Sequence, residues 1–323
     1  MLFNSYWFLA FVGVAAAGYR WLFDRGAGVR IGWLALASAV FYAANDLAHL
    51  PLLAASIVFN YVVGAVIAKR PGGRAARAWL TIGVAGNLGA LVAYKYMAAI
   101  AGATGFAAFW PSIGQSLPLG ISFFTFTQIA FLIDCGRGEA RSPRLLDYGV
   151  FVAWFPHLVA GPLLPHKRIL PQLRGETARK PQAEDYGVGL TLFILGLFKK
   201  VVLADGLSSA ANTLLRAIGS GAAHGAALAW TGITAFMLVV YFDFSGYSDM
   251  AMGLSRLFAI DLPVNFYSPF RAHNPSDFWR RWHRTLSWFI RAYVYSPFAG
   301  RRTGYGQYLR LMGIMALVGL WHG

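Results

Sequence analysis

The sequence is short of charge, and shortest of acid. Of its 323 residues only 13 are Asp or Glu, and 13% are charged, about half the share found in an ordinary soluble domain. These residues cannot build a solvated surface around a core of this size. There is one cysteine, Cys135; an internal disulfide and multi-cysteine metal clusters are thereby excluded, while a lone thiol nucleophile stays open. The sequence also lacks G-x-x-x-x-G-K-[S/T], a G-x-G-x-x-G after a strand, G-x-S-x-G and H-E-x-x-H. Those gaps argue against ATP hydrolysis and dinucleotide redox chemistry. An internal repeat of the kind many transporters carry is missing as well.

What is present is apolar. Hydrophobic residues make up 57% of the chain and aromatic residues 16%, with a mean hydropathy of +0.52. Apolar segments lie at 6–23, 31–44, 47–68, 79–100, 117–134, 146–161, 187–204, 226–243, 246–260, 283–298 and 305–322. Several reach the ~20 residues a helix needs to cross a bilayer. The segments 31–44 and 246–260 are short, which predicts tilted, re-entrant or interfacial helices. The expectation is an all-α, multi-pass membrane protein with roughly eight to eleven such helices. The first segment has no basic region before it and no small-residue cleavage pattern after it, and reads as a retained helix.

The net charge of +15 gathers between the apolar runs. That placement fits cytoplasmic loops lying against anionic lipid better than a nucleic-acid site. The loop KRPGGRAAR (69–77) carries four basic residues and no acid, so it is expected in the cytoplasm. Counting back through two helices places Arg25 and Arg30 inside and the N-terminus outside. The polar stretch 165–187 and the cluster of Arg271, Arg280, Arg281 and Arg284 are expected inside too.

Four stretches carry the candidate chemistry. In NPSDFWRRWHRTLSWFIRAYVY (274–295), Asn274 suits an N-cap, Pro275 the first helical position and Asp277 the first turn, which predicts a helix start. On that helix His283 shares a face with Trp279, Arg280, Leu286 and Ser287. A plain interfacial helix whose arginines meet lipid phosphates is the alternative. His322 follows the apolar run LRLMGIMALVGLW, and an ionisable group at such depth is a functional candidate. Burial favours the proton-free imidazole that general-base work requires; a packing histidine at a helix end is the alternative. Asp243 and Asp249 in YFDFSGYSDM either carry chemistry or cap a helix break at Ser245-Gly246 and pair with arginines. In PLGISFFTFTQIAFLID (118–134), Thr125, Thr127 and Gln128 either line a cavity for an extended ligand or glue helices together. FPHLVAGPLLP (155–165), with His157, follows a similar logic.

Taken in order, PLGISFFTFTQIAFLID, WFPHLVAGPLLPHKRILPQL, GLFKKVVLADGL, YFDFSGYSDMAMGLSRLF, LPVNFYSPFRAHNPSDFWRRWHRTLSWFIRAYVY and GLWHG resemble the membrane-bound O-acyltransferase family. Within it they resemble the bacterial branch concerned with alginate O-acetylation and teichoic acid D-alanylation. The resemblance runs from about residue 45 to the last residue, and FWRRWH followed by WHG is its most specific pairing. It implies one membrane domain over 1–323, a ring of helices around a central funnel or tunnel. His322 of WHG is implied as the catalytic base, with His283 as a second catalytic polar site. From the residues themselves, Trp279, Arg280, Ser287, Asp243, Asp249 and Gln128 are the candidate substrate-binding residues. No metal and no tightly bound cofactor is expected; acetyl-CoA or another acyl thioester serves as donor. The expected partners are membrane lipid, a periplasmic acetyltransferase or SGNH hydrolase-like protein and a polysaccharide acceptor such as alginate, with no nucleic acid. The expected location is the bacterial inner membrane.

In the implied reaction, His322 removes the proton of an acceptor hydroxyl as it attacks the donor thioester, and His283 orients the hydroxyl or stabilises the oxyanion. An acyl-enzyme on Cys135 or Ser245 is disfavoured, since neither has a base beside it in sequence. Two other readings stand beside this one: D-alanyl transfer from a carrier protein to teichoic acid, and a proton-coupled transporter using Asp134, Asp243, Asp249 and His322 as a relay. Two departures from the family pattern are visible. Where relatives commonly read RDYLYIPLGG this chain has RAYVYSPFAG, so Ala292 replaces a carboxylate and Arg291 or Arg301 is expected to pair elsewhere. Relatives also continue past WHG, so the chain is expected to lack C-terminal helices.

Overall fold

A computed structural model describes residues 3–97, 100, 116–174, 177–219, 225–296 and 305–322; Arg301 and Gly323 lie outside them. Most of the described residues are helical, with no strand among them. A helix suits an apolar chain in lipid because it satisfies its backbone N–H and C=O groups within itself. The protein is an all-α polytopic membrane protein. It forms two compact units, residues 1–265 and 266–323.

In the first unit, α1 (Tyr6–Leu22), α2 (Ala27–Asp46), α3 (Leu50–Lys69) and α4 (Arg74–Lys95) are joined by short turns. Then come α5 (Ile121–Gly136), α6 (Leu145–Ala153), α7 (His166–Arg174), α8 (Ala183–Phe198), a π-helical segment (Lys199–Ala204), α9 (Asp205–Gly219) and α10 (Ala226–Arg256). Six spans among the described residues are long and apolar enough to cross a membrane: α1 to α4, the run from α8 into α9, and α10. Segment 31–44, expected to be short, is the middle of a full 20-residue helix. Segment 146–161, expected to run through, stops as a helix at Ala153; His157 and its neighbours form a turn before α7.

The loops of this unit gather at two ends. At one, Arg30 donates to the Leu173 carbonyl at 3.1 Å, Lys180 pairs with Asp24, and Lys167 meets Glu139 at 2.5 Å. Arg256 lies 2.9 Å from Asp185, which also takes the Arg179 guanidinium. At the other end Asp46 accepts from the Leu119 backbone N–H at 2.9 Å and lies 2.8 Å from His49 Nδ1. The turns rich in Lys and Arg therefore share one end of the bundle.

Inside, polar side chains join helices. Asn60 of α3 and Asn87 of α4 donate to each other at 3.2 and 2.6 Å, an interhelical bond of the kind lipid-embedded helices use. Between α8 and α10 the contact is made by glycine. A Cβ on Gly196 would lie 2.5 Å from the Gly246 carbonyl oxygen, and one on Gly253 would lie 2.5 Å from that of Gly189. The expected break at Ser245-Gly246 is absent: α10 runs unbroken through it. Gly246 serves close approach of two backbones, not a bend.

In the second unit, α11 (Pro275–Arg281) and α12 (Arg284–Phe289) are followed by a π-helical segment (Ile290–Tyr295), and α13 spans Tyr305–His322. The start of α11 follows the sequence expectation, with the Asn274 carbonyl oxygen of the side chain accepting from the Asp277 N–H at 2.8 Å.

Candidate active site

The helix expected through 274–295 breaks at one residue. Trp282 is extended and His283 is left-handed, with φ 41 and ψ 54. A non-glycine residue held there carries backbone strain of order 1 kcal/mol or more, and persists only where its surroundings fix it. Those surroundings are visible. Tyr267 N–H donates to the Arg281 carbonyl at 2.9 Å, and the Arg281 and Arg284 guanidinium groups lie over the Tyr267 ring at 5.7 and 5.9 Å. Phe266 stacks on the His283 ring with centroids 6.4 Å apart. The Ser287 hydroxyl reaches back across the break to the Trp279 carbonyl at 3.0 Å. Trp279, His283 and Ser287 are thus brought together by a turn and not by one helical face.

His283 is 4% exposed and lies outside the six candidate spans. Burial pushes its imidazole pKa down to about 3, and the charge of His322 pushes the same way. The ring is therefore a neutral donor and acceptor near pH 7. Trp279 and Arg280 are exposed. The Arg281 guanidinium beside Asp277 holds that carboxyl below the usual carboxylate range.

His322 ends α13 and, contrary to the burial expected from its apolar run, is exposed, because only Ile314 of this helix is buried among the described residues. Its Nδ1 lies 2.8 Å from the Val318 carbonyl oxygen. A carbonyl only accepts, so Nδ1 carries the proton in the neutral ring and Nε2 presents the lone pair. The Trp321 ring packs edge-on to the imidazole, with centroids 4.3 Å apart. The ring is thus oriented by its own helix, with the basic nitrogen turned away from it.

The other sequence candidates belong to the first unit. Gln128 is fully buried, its amide donating to Ser56 at 2.8 Å and accepting from Tyr148 at 3.4 Å; both ends of the amide are used in helix packing. Asp249 pairs with Lys199 at 2.5 Å, and Asp243 with Lys200 at 2.6 Å. The partners are lysines of the π-helical segment and not the expected arginines. Lys200 also reaches Asp205 at 2.8 Å, so the two lysines hold three carboxylates. Sequence reasoning passed over both lysines, although the doubled Lys of GLFKKVV inside an apolar run was the available signal. Asp134 faces His166 at 3.1 Å. Cys135 and Ser245 are fully buried, in α5 and α10 of the first unit.

The model of the membrane-bound O-acyltransferase family matches residues 104–323, well over half of the chain. A peptidoglycan O-acetyltransferase of Helicobacter pylori is 36% identical over all of this chain and 67% of its own length. A probable alginate O-acetylase of Azotobacter vinelandii is 39% identical over 90% of this chain and 58% of its own. A teichoic acid D-alanyltransferase of Bacillus subtilis is 27% identical over 66% of this chain. The chain belongs to the membrane-bound O-acyltransferase family. It spans between about half and two thirds of the length of these relatives.

Proposed function

We propose that the protein is an O-acyltransferase of the bacterial inner membrane. It moves an acetyl group from a cytoplasmic thioester, acetyl-CoA, toward the hydroxyl of an envelope polysaccharide on the far side. The observation that carries this reading is the family match over residues 104–323, which contains both His283 and His322, two histidines of one compact unit. Relatives at 36 and 39% identity are named for O-acetylation of peptidoglycan and alginate, against 27% for one named for D-alanyl transfer. That difference favours acetate over alanine.

The proposed chemistry needs no covalent enzyme intermediate. An acceptor hydroxyl gives its proton to Nε2 of His322 as its oxygen attacks the thioester carbon. The C–S bond then breaks, and the thiolate leaves with the proton from His322. Neutral His283 supplies a hydrogen bond to the attacking hydroxyl or to the oxyanion. The basic end of the bundle, with Arg25, Arg30 and the 69–77 loop, is the proposed cytoplasmic face. A periplasmic acetyltransferase or hydrolase-like partner would take the group on to the polymer.

Sidedness tests the donor and direction together. Radiolabelled acetyl-CoA, which does not cross a bilayer, is supplied outside inverted and right-side-out vesicles containing the protein. Acetyl transfer is expected only in the inverted set, where the cytoplasmic face is accessible. Transfer only in the right-side-out set would overturn the direction, and transfer in neither set with a D-alanyl carrier active instead would overturn the donor.

A further inference from the structure

Between α1 and α2 the membrane-facing surface opens into a groove of about 150 Å³, with walls that include Phe11, Val14, Trp33, Leu36 and Val40. Its floor is built deliberately close. Trp33 donates its indole N–H to the Ala15 carbonyl at 2.8 Å and lies flat on α1 where Gly18 leaves room; a Cβ there would fall 2.4 Å from the Trp33 ring. The indole's one polar atom is satisfied inside the wall, so the surface presented to the groove is hydrocarbon and ring. A half-open apolar groove of this kind is best filled by apolar groups.

The face of α1 that forms the groove continues toward the basic end of the bundle. By the i+3 and i+4 rule, Phe11, Val14, Ala15 and Gly18 lead on to Trp21. The exposed Arg25 guanidinium sits over the Trp21 ring at 4.2 Å. The adjacent acid, Asp24, is taken up by Lys180, so the charge at this end of the groove is cationic. From Trp21 back to Phe11 the helix rises about 15 Å, a hydrocarbon slot below an aromatic and cationic rim. Acyl chain and anionic phosphate have this same order in a phospholipid, and basic sites at the ends of spanning helices recognise such headgroups.

We infer that the groove between α1 and α2 is a binding site for one anionic glycerophospholipid of the bilayer, with an acyl chain along Trp33 and its phosphate at Arg25.

The test uses the full chain in nanodiscs doped with phosphatidylglycerol or phosphatidylcholine that carries a diazirine in the middle of one acyl chain. After illumination, labelled peptides are mapped by mass spectrometry. Label is expected on the stretches 11–18 and 33–40, more from phosphatidylglycerol than from phosphatidylcholine. Filling the rim with Val14→Phe and Val40→Phe, both surface positions at 65% and 44% exposure, should cut that label severalfold and leave label elsewhere unchanged. Arg25→Gln should remove the headgroup preference, worth about fivefold for one cation at an anionic surface, without emptying the groove. Label that ignores groove filling overturns the site, and equal label from both lipids in the parent protein overturns the headgroup assignment. Crosslinks from the groove to a second copy, in place of lipid adducts, would assign the groove to an oligomer interface instead. The Arg25→Gln arm keeps the test decisive if the filled groove misfolds.

Discussion

His283 and His322 belong to one compact unit, where a proton on the second imidazole would disfavour one on the first. Each is fixed in a different way. His283 is locked by burial and a left-handed backbone, while His322 is steered by the Val318 carbonyl on an exposed helix end.

A first prediction concerns acid. The folded-state pKa of His283, about 3, lies below its unfolded value of 6.5. Its contribution to stability is therefore fully present above pH 6.5, and is lost progressively as pH falls from 6.5 toward about 3, because the unfolded chain binds a proton that the folded ring refuses. Thermal unfolding in detergent should show a loss of stability across that window, and His283→Gln should flatten it. An unchanged slope in His283→Gln would locate the acid sensitivity elsewhere.

The glycine contact between α8 and α10 gives a second. Gly246→Ala places a methyl 2.7 Å from the Gly196 carbonyl oxygen, a backbone neighbour that cannot rotate aside. A loss of roughly 1–3 kcal/mol is expected, the usual range for overpacking. Gly206→Ala in α9 has open space around its Cβ and should be neutral or stabilising by up to about 1 kcal/mol through helix propensity. Chemical denaturation of the two variants side by side checks the contrast.

The Lys199–Asp249 pair supplies a third. Replacing Lys199 by Met leaves the Asp249 carboxylate of α10 without its cation, at a cost of roughly 1.5–3 kcal/mol for a charged hydrogen bond. Adding Asp249→Leu should recover most of that loss, because an apolar pair avoids the desolvation that an ion pair carries. If the double variant is no better than Lys199→Met alone, the pair does more than hold the helices together, and acyl transfer in the double variant becomes the informative assay.

How much of this could be read in the sequence depends on which force decided each element. Helices α1, α3, α4 and α5 lie where the apolar runs place them, because burial in lipid is a local, additive property of composition. The start of α11 was equally legible, since Asn274, Pro275 and Asp277 act within one turn. Two features were not. Gly246 looks like a break and is a contact, a difference set by the facing glycines of α8 and invisible along α10 alone. The turn at His283 is held by Tyr267, Arg281 and Arg284, so the helical face predicted for Trp279, Arg280 and Ser287 gave way to tertiary packing. The candidate histidines themselves were legible from motif, whereas the lysine partners of Asp243 and Asp249 needed the π-helical segment to come into view.

The most direct test of the central claim is the rate of acetyl transfer by His322→Ala in inverted vesicles, measured beside the parent at matched insertion. If the Nε2 lone pair of His322 takes the acceptor proton, the rate should fall by about 10²- to 10⁴-fold, the usual worth of a positioned base, with the protein still folded in the membrane. A rate within about twofold of the parent would contradict the account.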